Sequence, residues 1–563
     1  MDCVEDAETM IFVIVAVIVT VGRLARFLRR VSGTQAPQRS PEPGTVFLDD
    51  EYGEDEYGEE AIEREVQHQH GGGEPVVTVD PIPDLRQQLE QRLDRVRQRA
   101  NTMERTFVLE MANRRLVHPV EVYIPELLGH ARAELVEAPA GSMELLPKAR
   151  SGLDRAGRIL DEAEGLLEVI EYLALQRRDP DLAAALGDAD QLAEACYRPV
   201  LTFAQAEGLE ITSNHPIVSL GRFDLQIWTG LIPTSLAPIF LPTDFFSRVA
   251  WWPALTHEIG HDFYASVDGF DGALRQDLRL PSAVSGAQLI RSPNQSLELS
   301  DIEAMYGVWL EEIFCDVFGT LMTGPAYVAA MLELFRADDD PGMVVSVLQT
   351  GDATPAYDPH PPRHLRLHIN VALLGEMGLH TDAADLLREW NEMHQLDGEP
   401  IDFLLVPTLA GTASISLEPF VQVGRRIAQR LYDGPLHALK GRGLRAISGL
   451  DYGPHRHNET LRARNAFLDG AVPSVRDPRS VIAGAVLAAR QAPDREASIM
   501  RLARQTIPAL GTTERAPGVQ QTEVRMHRPG ASPAIGPLSA DDLIGGMILG
   551  EILDRGARAS HRV

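Results

Sequence analysis

The chain is poor in cysteine, in lysine and in positive charge generally, and the shortages exclude two classes of protein. Cys3, Cys196 and Cys315 are the only cysteines in 563 residues. Few, odd in number and far apart, they imply no disulfide framework. Lysine occurs twice, at Lys148 and Lys440, so arginine supplies nearly all of the 52 basic side chains. We draw no function from that skew. The 81 acidic residues outweigh them and leave a net charge of −29. Such a balance argues against a nucleic-acid partner, because phosphate binding draws on surplus basic residues. With 44% hydrophobic and 24% charged residues the composition is that of a globular protein, and the length allows roughly three or four domains.

Long apolar runs are also scarce, with one exception. Met10 to Gly22 holds no charge over 13 residues, short of the roughly 20 a spanning helix needs. It reaches that length if Leu24, Ala25, Phe27 and Leu28 are counted while Arg23, Arg26, Arg29 and Arg30 snorkel to the headgroups. Asp2, Glu5, Asp6 and Glu8 stand where a secretory signal has its basic region. Residues 10–30 are therefore expected to tether the chain to a membrane. The positive charge after the run places the main domain on the cytoplasmic side. The competing expectation is a buried strand or core helix in a soluble cytoplasmic protein.

Composition then divides the chain. Residues 1–31 form the expected anchor and 32–80 an acidic linker. Between Asp49 and Glu65 stand ten acids and one base, with too little apolar surface to offset the entropy of ordering. Residues 81–206 read as helical, with Leu85, Leu89, Leu93 and Val96 at three- and four-residue spacing. From 207 the texture changes to short β-branched and aromatic stretches broken by Pro, Gly and Asn, which predict strands and turns. Helical patterning resumes near Ser247 and runs to about Leu510. The core spans 207–340 and a further helical region 341–510. Residues 511–563 read as a linker and a short helix opening at Ser539, with Asp542 as its capping partner. The expected fold is mainly α, with an α+β core in which a small sheet accompanies the active-site helix.

The informative segment is VAWWPALTHEIGHDFYASVDG. His257, Glu258 and His261 form H-E-x-x-H, with Pro253 in the first helical turn and Gly269 as a stop. Leu255, Ile259 and Phe263 make an i, i+4 line about 200° from the histidines, so the histidines face away from the core. That geometry lets two imidazoles hold one Zn²⁺ while Glu258 reaches a water. Composition alone would yield such a motif on the order of 0.04 times, which favours a site over a solvated helix face.

A zinc site needs a third protein ligand. Tyr264 and Val267 occupy the Gly and third-ligand positions of the extended H-E-x-x-H-x-x-G-x-x-H pattern, and Asp268 lies one residue beyond. The better source is SDIEAMYGVWLEEIFCDVFGTLMTGP, where Ser300 and Glu303 read as a capping box and Gly324-Pro325 as a stop. The helix is apolar on most sides, and carboxylates there are costly unless they meet a metal or a donor. Glu312 and Asp316 share a face at i, i+4. Glu312 would ligate zinc and Asp316 would accept the free ring N–H of a ligand histidine. Glu311 is the competing ligand. Cys315 reads as a small core residue.

A third element, AYDPHPPRHLRLHIN, starts a helix after His360-Pro361-Pro362 and carries Arg366 inside it. His364 and His368 share a face, but without an intervening Glu they read as structural. HEIGH, then EEIFCD, then HPPRHLR resembles the gluzincin metallopeptidases, and most closely the group of CAAX prenyl proteases and the bacterial heat-shock membrane protease. The resemblance covers about residues 251–370. It implies a zincin-like core, zinc ligation by His257, His261 and Glu312, general-base duty for Glu258, and transition-state or structural roles for His360 and Arg366. The multiple hydrophobic spans of that group are absent.

The sequence therefore points to a zinc-dependent peptidase acting on a peptide or protein substrate, with His360, Arg366, Tyr264 or Tyr306 as oxyanion stabiliser. The strand-like Ala237–Leu241 could bind an extended peptide by edge pairing. The alternative is a membrane-tethered helical scaffold with a structural zinc.

Overall fold

The apolar stripe of Leu89, Leu93 and Val96 is buried, as its spacing requires, in a cluster built by three helices. These are α1 (Ile82–Glu110), α2 (Ile124–Glu137) and α3 (Leu146–Gln176). Arg92 and Arg99 of α1 reach Glu164 and Glu171 of α3 at 2.6 Å, fastening the two helices side by side. Both pairs are partly exposed, so each adds only on the order of 0.2–1 kcal/mol. The computed structural model describes residues 82–511 except 111–115, 117–118, 139–145, 210, 212–214, 222–225, 228–235, 243–244, 282–297, 337–341, 350–354, 397 and 409–410. The expected tether at 10–30, the acidic linker at 32–80 and the linker and helix beyond 511 lie outside them.

α4 (Pro180–Glu207) turns its Leu186, Leu192, Tyr197 and Phe203 into a second, larger core. A three-stranded sheet separates the two cores. It contains β1 (His215–Leu220), β2 (Gln226–Ile227) and β3 (Leu236–Leu241) in the order β1–β3–β2. β1 runs parallel to β3 with Val218 opposite Ile239, and β2 runs antiparallel to β3. Because successive strand side chains point to opposite faces, Ile217 and Phe240 enter the smaller core while Val218, Ile239 and Leu241 enter the larger.

The outer edge of β1 is occupied by side chains rather than by another strand. Asp190 accepts from the Val218 amide at 2.7 Å, and Gln176 pairs with both the amide and the carbonyl of Leu220 at 2.8 Å. Arg177 donates to the Val218 carbonyl at 2.6 Å. An open strand edge invites pairing with other chains, and these four bonds close it.

The larger core is built from helices α5 (Leu255–Ser266), α6 (Phe270–Leu278), α7 (Leu299–Val308), α8 (Leu310–Thr323) and α9 (Pro325–Arg336). It continues through α10 (Arg363–Glu376), α11 (His380–Met393), α12 (Leu417–Asp433), α13 (Pro454–Leu468), α14 (Pro478–Gln491) and α15 (Glu496–Gly511). The protein is mainly α, as expected. Three hairpins interrupt the run from Ser247 to Leu510 that the sequence reads as helical. They pair β4 (Val347–Gln349) with β5 (Pro355–Tyr357), β6 (Gln395–Leu396) with β7 (Glu399–Pro400), and β8 (Phe403–Thr408) with β9 (Gly411–Ser416). In β8 the continuous apolar run FLLVPT masks a period of two, with Leu404, Val406 and Thr408 buried and the residues between them half-buried. No described helix is long and apolar enough to cross a membrane.

Candidate metal centre

Pro253 lies in a 3-10 turn, Val249–Ala254, and α5 opens only at Leu255. This corrects the expectation that the proline sits in the helix itself, and Gly269 stands beyond the helix end at Ser266. Leu255, Ile259 and Phe263 are fully buried. On the other side of α5, His257, Glu258 and His261 border a cleft of about 360 Å³ together with Glu311, Glu312, Tyr327, His360 and Arg366.

The glutamates arrive there because the backbone breaks. The single helix expected from Ser300 to Gly324 is two, divided at Trp309 with φ −88° and ψ 2°. The fully buried indole of Trp309 donates to the Asp358 carbonyl at 3.0 Å, which pins the break. Glu311 and Glu312 thereby fall in the first turn of α8, where the helix dipole favours negative charge. The capping box is also displaced: Glu298 and Asp301 form it at the start of α7, rather than Ser300 and Glu303.

α5 and α8 cross closely at Gly260. A Cβ added to Gly260 would lie 2.9 Å from Cys315 Cα and 3.2 Å from Cys315 Sγ. Cys315 is fully buried, and burial pushes its thiol up to about 12, as suits a core residue. We predict that Gly260→Val will force the helices apart, cost about 1–3 kcal/mol of stability and weaken metal binding by the same variant. Thermal unfolding with and without added metal checks both. Unchanged unfolding would show that the close crossing does not matter.

His257, His261 and Glu312 each bring one donor atom within 4.8 Å of the others, a group that could hold a metal ion. The two Nε2 atoms stand 3.1 Å apart, and each lies 3.3 Å from a Glu312 oxygen. The opposite nitrogens are committed outward. His257 Nδ1 faces Asp316 Oδ1 at 3.1 Å, and His261 Nδ1 faces Glu311 Oε1 at 2.8 Å. A proton on each Nδ1 satisfies those carboxylates and leaves both Nε2 atoms as acceptors. Two nitrogen lone pairs and the Glu312 carboxylate then converge on one point, an arrangement that a cation would resolve.

Asp316 is fully buried and richly bonded. It accepts from Arg366 Nε at 2.9 Å and Nη2 at 2.7 Å, from Tyr327 Oη at 2.7 Å and from Asn370 Nδ2 at 3.2 Å. Burial would raise its carboxyl, but Arg366 and His257 outweigh burial and hold it at about 2. Arg366 Nη1 also lies 3.2 Å from Glu312 Oε2. Burial works against the Glu312 charge as well, yet Arg366 and the two histidines keep its carboxyl well below the ordinary range.

His360 lies at the cleft mouth, its side chain 63% exposed and its Nε2 3.6 Å from Glu312 Oε1. Asp358 holds its ring Nδ1 at 2.7 Å and its amide at 2.8 Å. Of the four oxyanion candidates, the two tyrosines are directed elsewhere. Tyr264 donates to Asp271, and the buried Tyr306 donates to the Phe420 carbonyl at 2.7 Å. His364 belongs to the core, accepting from Trp390 Nε1 at 2.8 Å, with its Nε2 3.0 Å from the Ile401 carbonyl.

Three members of the site escaped sequence reasoning in the roles they hold. Glu311 faces the far nitrogen of His261 instead of the metal position. A signal existed, since histidines one turn apart need outward acceptors separated by a comparable distance, and Glu311 and Asp316 are five residues apart. Asp358, two residues before His360, is within reach of a local side-chain-to-amide bond. Tyr327, from α9, left no local signal at all. Comparison with known protein families, curated proteins and solved structures finds no match for the chain.

Proposed function

We propose that the protein is a zinc-dependent metallopeptidase. The observation that carries this reading is the convergence of His257, His261 and Glu312 at the wall of a cleft that Glu258 also borders. Ligand atoms about 2.0–2.1 Å from a tetrahedral zinc stand about 3.3 Å apart, and the separations here are 3.1 Å and 3.3 Å. A structural zinc is usually enclosed by four protein ligands, whereas three donors beside a cleft leave a position for substrate. This favours catalysis over the scaffold reading, as does the resemblance of the three motifs to the gluzincins.

Bound zinc would act as a Lewis acid, polarising a scissile carbonyl and lowering the pKa of water toward about 7. Glu258, one residue from a ligand and bordering the same cleft, would take the water proton and deliver it to the leaving amine. His360, whose Nδ1 is held by Asp358 at the cleft mouth, would donate from Nε2 to the oxyanion. Arg366 is engaged with Asp316 and Glu312, so its main task is to balance their charge and keep Glu312 ionised. Edge pairing of a peptide at Ala237–Leu241 is not supported, because β3 lies between β1 and β2 in the sheet.

Metal analysis of the purified chain tests the reading first. We expect about one zinc per chain, loss of it in His257→Ala, and cleavage of a mixed peptide library that stops on chelation and returns with zinc. A correctly folded wild-type chain without metal affinity would overturn it. Because Glu311 fixes which nitrogen of His261 is free, Glu311→Ala should weaken zinc binding about 10–100-fold. Glu311→Gln, whose amide oxygen can still accept, should restore most of that affinity in chelator-competition titrations.

A further inference from the structure

A second cavity, of about 650 Å³, opens away from the metal centre among α4, the 448–453 loop and the starts of α13 and α14. Four arginines border it: Arg198, which also stands 3.8 Å from Glu194 on the same helix, Arg456, Arg476 and Arg479. Three acids do too, and two of them are already engaged. Asp477 takes Arg479 in a two-point pair at 2.9 Å and 2.6 Å, and Glu459 stands beside Arg462 at 3.7 Å and His455 at 3.9 Å. Burial raises the carboxyl of the third, Asp451, above its ordinary value, against the attraction of Arg456 and Arg445.

Four arginines against three acids leave this wall with a formal surplus of positive charge. Arg456 and Arg479 have side chains 11% and 8% exposed, and both lean on the one carboxylate of Asp477, Arg456 at the longer 3.6 Å. Their other bonds go to neutral acceptors: Arg456 donates to the carbonyls of Leu450 at 3.1 Å, Gly449 at 2.8 Å and Leu321 at 3.5 Å, and Arg479 donates to the Gly449 carbonyl at 2.8 Å and to Met322 Sδ at 3.3 Å. Burial and the neighbouring Arg479 lower the pKa of Arg456 against the opposing pull of Asp477 and Asp451. The surroundings add to the positive field. α13 begins here with no side-chain cap and no acid in its first turn, which carries His455 and Arg456 instead. Basic residues at a helix N-terminus oppose the dipole unless an anion is present. Thr202 and Ser448 supply hydroxyls to the same wall.

We propose that this cavity binds a phosphate monoester, with Arg476 and Arg198 at the rim contacting the phosphate oxygens and Arg456 supplying positive charge from within. Arginine suits that task because its planar fork meets two oxygens at once. The cavity exceeds the size of a lone phosphate, so the remainder of the ligand has room beside the Ser448–Gly453 loop. The site does not depend on the peptidase reading, since none of its residues borders the metal cleft.

The test is calorimetric titration of the full chain with inorganic phosphate, with ribose 5-phosphate, and with vesicles containing phosphatidic acid. Saturable binding of one ribose 5-phosphate per chain is expected, tighter than inorganic phosphate and unchanged in His257→Ala, which separates the site from any phosphate held by zinc. Stronger binding to the vesicles would assign the phosphate to a lipid headgroup instead and overturn the small-molecule proposal. Arg476→Ala and Arg198→Ala change exposed residues and leave the core intact. Each should weaken binding about tenfold, and Arg476→Glu should abolish it. Failure of ribose 5-phosphate to bind, or binding that ignores all three substitutions, would overturn the proposal.

Discussion

Glu258→Gln should reduce peptide hydrolysis by about 10²–10⁴-fold, the usual contribution of a positioned acid–base group, without lowering the zinc content. The two readouts separate because Glu258 borders the cleft but is not among the three converging donors, His257, His261 and Glu312. Glutamine keeps the size and one acceptor oxygen of the side chain, so packing at this 6%-exposed position should survive. It cannot take a proton. Steady-state hydrolysis of the best substrate from a peptide library, with metal analysis of the same sample, makes the comparison. Hydrolysis within a few-fold of wild type would refute the role given to Glu258. Lost metal would mean that the glutamate shapes the site rather than moving the proton.

Asp316→Ala should have the largest effect on stability. It removes one carboxylate that accepts from Arg366, Tyr327 and Asn370 and faces His257. The Arg366 guanidinium would keep only its 3.2 Å approach to Glu312. Leaving a buried charge without its partner costs about 3–5 kcal/mol. Release of the His257 ring should further weaken metal binding about 10–100-fold. Chemical denaturation of metal-free wild type and variant isolates the first effect, and a loss under about 1 kcal/mol would refute it. The pH dependence has a definite sign. The folded carboxyl sits at about 2, below its ordinary 3.8. Its contribution is therefore complete above about pH 4 and is lost as pH falls toward 2. Across that window metal-free wild type should lose more stability than Asp316→Ala does.

Much of the site was legible because its parts are local. H-E-x-x-H places two histidines on one helix face through the 3.6-residue turn alone, and Leu255, Ile259 and Phe263 mark the opposite face as core. Glu312 and Asp316 were recognisable as carboxylates in an otherwise apolar helix, where charge needs a partner. The helix break at Trp309 was not legible: no proline or glycine stands at the break itself, and the indole there bonds the Asp358 carbonyl, 49 residues away. The hairpin β8–β9 was missed for a different reason: its strand is apolar on both faces, so periodicity is silent. The division into two cores on either side of the sheet likewise appears only once Ile217 and Phe240 are seen to face α1–α3.

What the sequence determined by itself is the chemistry on offer: an acidic, cysteine-poor, mainly helical chain with one H-E-x-x-H helix that could offer two histidines to a metal ion and a pair of carboxylates in an otherwise apolar helix. Those properties follow from composition and from spacings shorter than two helical turns. Only the tertiary structure decided how the groups are used. It assigned Glu311 to His261 and Asp316 to His257, brought Tyr327 and Arg366 to the same carboxylate, turned Tyr264 and Tyr306 away, and closed the edge of β1. Apart from the Tyr264–Asp271 bond, each of these outcomes is a contact that local helix or strand spacing does not specify.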